Sequence, residues 1–124
     1  MFIRIGKISD AEMEIMKIIW NKNRQVTTAD ILEELPKENS WKITTVMTLI
    51  SRLTDKGILK VAKLGKLNNY SAKITEEEYK AIQADNFLED MHNGSVKNFI
   101  ATLFNNKKIS KEDISDLKKW LKDV

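Results

Sequence analysis

Residues 41–57 read WKITTVMTLISRLTDKG, and at helical spacing this stretch sorts its side chains onto two faces. Ile43, Val46, Leu49, Ile50 and Leu53 share an apolar face, while Thr44, Met47, Thr48, Ser51 and Arg52 share another. The pattern predicts a helix from about Thr44 to Lys56, stopped by Gly57. A face that only meets water favours Glu, Lys and Gln, whereas this one carries small hydroxyls and one arginine. Thr and Ser hydroxyls suit phosphates or base edges, Thr and Met methyl groups pack on a thymine methyl, and Arg52 reaches phosphate. The plainer alternative has Thr44 and Thr45 capping the helix and Met47 packing inside.

Directly downstream, Ile58 to Lys63 and Asn69 to Lys73 are short extended segments around Leu64-Gly-Lys-Leu-Asn68, which predicts a hairpin with a basic tip. Lys63 and Lys66 in that hairpin, with Lys42 at the start of the helix, are candidate phosphate anchors that set register without reading sequence. Upstream, Ser9-Asp-Ala-Glu12 has the form of a capping box, so a first helix is expected from about Ser9 to Asn21. Val26 is a lone extended residue, and Thr27 caps a short second helix through about Leu35, ended by Pro36. Helix, helix, helix, hairpin is the order of a winged helix-turn-helix, assigned to residues 1–73. Trp41 and Trp20 read as packing plugs rather than stacking platforms, and the same reading covers Trp120.

Residues 74–124 are helical in pattern. Thr75 to Glu78 form a further capping box opening a helix to about Asn93, Asn93-Gly94 interrupts, Ser95 restarts, and Ser110 caps a last helix. Their apolar stripes include Phe87, Met91, Phe99, Ile100, Leu103, Ile114, Leu117, Trp120 and Leu121. Three such helices in about 50 residues bury themselves poorly alone. Covering these stripes with a second copy is the economical solution, so the segment is assigned as a dimerisation domain and the fold class as mainly α with a small β-hairpin wing.

Composition narrows the chemistry. The chain has 124 residues, no cysteine and one histidine, His92, with no second ligand or base nearby in sequence, so neither a metal site, a cofactor nor catalytic machinery is expected. Gly65 and Gly94 lack any phosphate-cradling pattern, and Glu76 to Glu78 complement a helix dipole. Residues 1–73 carry 13 Lys/Arg against 8 Asp/Glu and residues 74–124 carry 8 against 10, a basic half and an acidic half. No apolar run reaches membrane-span length and the start MFIRIGKISD lacks a long apolar signal region, so a cytoplasmic protein without membrane insertion is expected.

Ile8 to Met16, Trp20, Trp41 to Leu53 before Lys56-Gly57, Tyr70-Ser71 and Glu76 to Tyr79 together resemble the penicillinase and methicillin-resistance repressor family over essentially the whole chain. The resemblance implies a homodimer that places its third helix in the major groove of double-stranded DNA at TACA/TGTA-type inverted repeats. Thr44, Thr45, Met47 and Thr48 would then face base edges and Arg52 the backbone. Met47 stands where some relatives have arginine, which removes a guanine contact and suits thymine instead. The resemblance also implies an off-switch, in which a membrane sensor-protease triggers cleavage in the dimerisation domain, and Asn98-Phe99 is similar to that site. Copper-responsive relatives carry a C-terminal cysteine cluster that is missing here. Two other function classes fit the same fold: a winged-helix protein-interaction module that never touches DNA, and a regulator released by a small ligand in an apolar pocket near the Thr75 helix.

Overall fold

The structure, a computed structural model, describes residues 5–124; residues 1–4 of the predicted first domain lie outside the described residues. In chain order the elements are α1 (Asp10–Lys22), α2 (Thr28–Glu34), a 3₁₀ turn (Lys37–Asn39), α3 (Ile43–Asp55), β1 (Leu59–Leu64), β2 (Leu67–Ala72), α4 (Glu76–His92), α5 (Val96–Asn105) and α6 (Lys111–Asp123). They form two compact units, residues 1–83 and 84–124, with the boundary inside α4. No described helix is long and apolar enough to cross a membrane.

In the first unit, α1, α2 and α3 contribute one buried stripe each. Ile15, Met16 and Ile19 of α1, Ile31 of α2, and Val46, Leu49, Ile50 and Leu53 of α3 meet with Ile58, Leu59 and Tyr70 in a single core. Local chemistry starts these helices where it does. Ser9 and Glu12 form a reciprocal capping box on α1, and Thr27 and Asp30 another on α2. The Asp30 carboxyl is held below its ordinary range, chiefly by the Thr27 backbone N–H and, more weakly, by Arg24. Gly57 follows α3 at φ +80°, the left-handed conformation that turns the chain into the hairpin.

The wing differs from expectation in its turn. Leu64 pairs with Leu67 and Lys63 with Asn68, so only Gly65 and Lys66 remain between strands instead of a five-residue loop. Gly65 has φ +65°, the positive value that two-residue hairpin turns demand at their first corner. Val26 exchanges both backbone hydrogen bonds with Tyr70, at 2.9 and 2.7 Å, which ties the α1–α2 connection to the outer strand. At the opposite end of the wing Tyr79 is buried, accepts a hydrogen bond from the Ile8 N–H at 2.8 Å and lies beside Trp20, whose indole N–H donates to the Ile74 carbonyl at 3.0 Å. Trp20 and the half-buried Trp41 both pack against the core.

Among the described residues one charged side chain is fully inside. Glu12 is 1% exposed, and its Oε1 accepts from the Ser9 N–H at 2.8 Å and from Lys56 Nζ at 2.5 Å. Burial pushes its carboxyl up, but the bonds to Lys56 and Ser9 outweigh burial and hold it below the ordinary carboxylate value. Lys56 also donates to the Lys7 carbonyl at 2.8 Å. The pair links the start of α1 to the end of α3.

The second unit is built differently. Among described residues 84–124 only Asn86 is buried, and it is polar. Phe99, Ile100, Leu103, Ile114 and Leu117 are half-buried, while Phe87, Met91, Phe104, Trp120 and Leu121 are exposed. Trp120, expected to be a packing plug, is 60% exposed and plugs nothing within this chain. The helices themselves are well made: Thr75 and Glu78 cap α4 reciprocally, Ser95 caps α5, and Ser110 with Asp113 boxes α6.

Candidate nucleic-acid interface

The core face of α3 fixes what its other face presents. With Val46, Leu49, Ile50 and Leu53 buried, Thr44, Thr45, Met47, Thr48, Ser51 and Arg52 are all exposed, as the sequence pattern predicts. Met47 therefore does not pack inside. Nor do Thr44 and Thr45 cap the helix: α3 begins one residue earlier, at Ile43, with Lys42 in the cap position and no side-chain cap. The other five α-helices all have a Ser or Thr cap. The open amides at the start of α3 are donors of the kind that phosphate oxygens satisfy.

One residue departs from expectation. Ile43, placed on the core face by its spacing, is 52% exposed. At about 100° per residue it falls on the flank of the helix beside Met47, and at the first helical position it lies beyond the shelter of the core. Sequence spacing alone missed it as a surface residue of this face. Thr48 Oγ donates to the Thr44 carbonyl at 2.9 Å, so outward it offers lone pairs and a methyl group rather than a proton.

Charge is arranged to suit a polyanion. Between Asp55 and Glu76 the chain has five lysines and no acidic residue. Lys42, Arg52, Lys63 and Lys66 are exposed, and among the described residues the ion pairs are Lys22–Glu34, Arg24–Asp30, Lys56–Glu12 and Lys80–Glu77. Among the described residues these four cations thus have no carboxylate partner, whereas Lys56 is committed to Glu12. Two further apolar residues the sequence did not flag, Leu64 and Leu67, stand exposed at the wing tip next to Lys63 and Lys66.

Elsewhere the chemistry is sparse. Among the described residues no group of three or more His, Asp or Glu side chains is arranged to hold a metal ion. His92 ends α4 with Nδ1 2.6 Å from Asn98 Oδ1, and its ring packs with Phe87 and Phe99 at 5.5 and 5.1 Å in a cluster in which the two phenyl rings also touch, at 5.5 Å. A cleft of about 590 Å3 lies within the first unit near Thr75, lined by Ile19, Trp20 and Ile74. Arg24, Lys73 and Glu76 to Glu78 share that lining, so it is charged where a small-ligand pocket is mostly apolar.

The predicted cleavage dipeptide sits in the first turn of α5. The Asn98 N–H donates to Ser95 Oγ at 3.0 Å, the Phe99 N–H to the Ser95 carbonyl at 3.1 Å, and the Asn98 carbonyl accepts from Thr102 Oγ at 2.9 Å. Its peptide is fully helical, and a protease that binds extended chain must unwind this turn.

Three core helices, a two-stranded wing and a third helix that presents an uncapped start and a hydroxyl-lined face define a winged helix-turn-helix protein. The chain belongs to the penicillinase repressor family, whose sequence model matches residues 8–123. It is 33% identical over 120 residues to the penicillinase repressor of Bacillus licheniformis, covering 97% of this chain and 93% of that one. It is 30% identical over 115 residues to the methicillin resistance regulatory protein MecI of Staphylococcus aureus strain N315, covering 93% of each. Two solved structures are similar: the DNA-binding domain of the repressor BlaI, at TM-score 0.53 and 39% identity over 64% of this chain and 94% of that one, and the monomeric form of Bacillus licheniformis BlaI in complex with the blaP half-operator, at 0.52 and 38% over 61% and 92%.

Proposed function

We propose that this chain is a transcriptional repressor, without catalytic activity of its own, that binds a palindromic operator in duplex DNA as a homodimer in the cytoplasm. The observation that carries the reading is the exposed face of α3, with four threonine and serine hydroxyls, Met47 and Arg52, together with the exposed cations Lys42 at the helix start and Lys63 and Lys66 on the wing. The α3 side chains supply base contacts, and the four cations supply phosphate contacts that position them. The similar repressor in complex with a half-operator supports operator DNA as the partner.

Dimerisation is supported by the second unit, which buries no apolar side chain within one chain. Operator palindromy then follows from the two-fold symmetry of the dimer. The test is equilibrium binding to a TACA/TGTA-type inverted repeat and to a scrambled duplex of equal length at several salt concentrations. A preference of about a hundredfold or more for the repeat, falling steeply with salt, is the expected result. Equal binding to both duplexes rejects the operator, and no binding at low salt leaves a protein-interaction module.

Inactivation belongs to the same reading. A cut at Asn98-Phe99 by an activated sensor-protease would sever α5 and detach α6, removing Trp120 and Leu121 from the dimer face. The expected signature is a fragment ending at Asn98, by mass spectrometry, after incubation with the cognate sensor. An intact chain under those conditions removes the off-switch and leaves the repressor reading unaffected.

A further inference from the structure

α3 exposes two large apolar side chains that its own fold does not explain. Ile43 is 52% and Met47 49% exposed, while Val46, Leu49, Ile50 and Leu53 of the same helix are buried. One turn apart, their Cβ atoms are roughly 5–6 Å from each other. They line one flank of the exposed face, Thr45 and Arg52 the other, and Thr44, Thr48 and Ser51 lie between.

We propose that Ile43 and Met47 together form a reader of thymine 5-methyl groups in the major groove, and that Ile43 is a specificity-determining residue of this protein. The inference rests on α3 being the DNA-reading helix. In the major groove the C5-methyl of thymine is the apolar group among the distinguishing edges of the base pairs, and apolar side chains discriminate it by contact. Ile43 is suited by position, because the N-terminal residues of a recognition helix approach the base edges. Its branched Cβ has few rotamers in a helix, so the contact surface is set before binding, whereas the unbranched Met47 adapts to what lies beside it. Thr48 completes the pattern. With its proton held by the Thr44 carbonyl, it faces the groove as an acceptor, which suits an adenine N6 amino group next to the methyl being read.

The experiment uses the full-length protein and the inverted repeat, with each thymine replaced in turn by deoxyuridine, which lacks the 5-methyl group and keeps every hydrogen-bonding group. One or two thymines per half-site are expected to show a loss of about fourfold each, and about fifteenfold when both half-sites are substituted. Ile43→Ala and Met47→Ala should weaken binding to the parent repeat by similar factors and become indifferent to deoxyuridine at those positions. Unchanged urea midpoints are expected, because both side chains are exposed. If a variant fails to fold, the deoxyuridine scan on the parent protein decides alone. The proposal is overturned if the parent binds the repeat specifically yet tolerates deoxyuridine everywhere, or if Ile43→Ala keeps the full deoxyuridine penalty. If the parent shows no preference for the repeat over the scrambled duplex, the operator reading fails and this inference falls with it.

Discussion

Replacing Trp120 and Leu121 together by aspartate is expected to leave the protein monomeric at micromolar concentration and to weaken operator binding by a factor of about 10²–10⁴. Both residues are on α6, at 60% and 58% exposure, and neither has a place in the chain's own core, which contains no residue beyond Tyr79. The second unit has helices with good caps and apolar stripes but nothing apolar buried, a state that a monomer in water does not favour. A second copy covering Phe87, Met91, Trp120 and Leu121 removes that surface from solvent. Two carboxylates in the covered face would have to be buried without partners, which costs far more than the lost apolar contact alone. Once the dimer dissociates, each winged helix binds a half-site independently, and the high effective concentration of the second winged helix is lost. The first unit should keep its fold, since none of its buried side chains is altered. Sedimentation velocity and fluorescence anisotropy on the inverted repeat measure the two effects. A variant that remains dimeric would place the interface elsewhere.

What was legible in the sequence was mostly local. The starts of α1, α2, α4, α5 and α6 follow from capping residues that act within three positions of each other, such as Ser9 with Glu12 and Thr75 with Glu78. α3 lacks that signal, and its start was placed one residue late. Ile43 fits the apolar periodicity, but it occupies the first turn at the edge of the core, where spacing does not distinguish burial from exposure. The wing turn was read as too long because Leu67 and Asn68 do not announce a strand; Asn is a weak strand former, and the pairing with Leu64 and Lys63 is decided across the hairpin. The Val26–Tyr70 bridge and the Tyr79 bond to Ile8 join residues 44 and 71 positions apart, and nothing near either end foretells them. At the site, all nine candidate residues are exposed: the six on α3 because its buried stripe leaves them no alternative, and Lys42, Lys63 and Lys66 because they stand at the helix start and in the wing, whereas Ile43 needed the structure.

Changing Lys42, Arg52, Lys63 and Lys66 together to alanine is expected to flatten the salt dependence of DNA binding almost completely while leaving stability unchanged. Each neutralised phosphate contributes a slope of about −0.9 in log K against log salt, so four contacts in each of two protomers amount to a change of about seven. Exposed lysines without carboxylate partners contribute little to folding, and none of these four has such a partner among the described residues. Lys56 is the internal contrast. It lies in the same basic run, but its ammonium is bound to Glu12 and to the Lys7 carbonyl, so Lys56→Ala leaves a buried carboxylate unpaired. That change should lower the urea midpoint, by about 3 kcal/mol in stability, and leave the salt slope nearly as it was. The acidic side of the same pair behaves predictably with pH: the folded-state value of Glu12 is depressed, so its contribution is present above the ordinary carboxylate range and lost as pH falls through the folded value. Anisotropy titrations between about 50 and 200 mM salt, paired with urea denaturation of each variant, separate the two kinds of cation. A quadruple variant with the parent's slope would show that the wing and the start of α3 do not touch phosphate, and would move the DNA to another face of the protein.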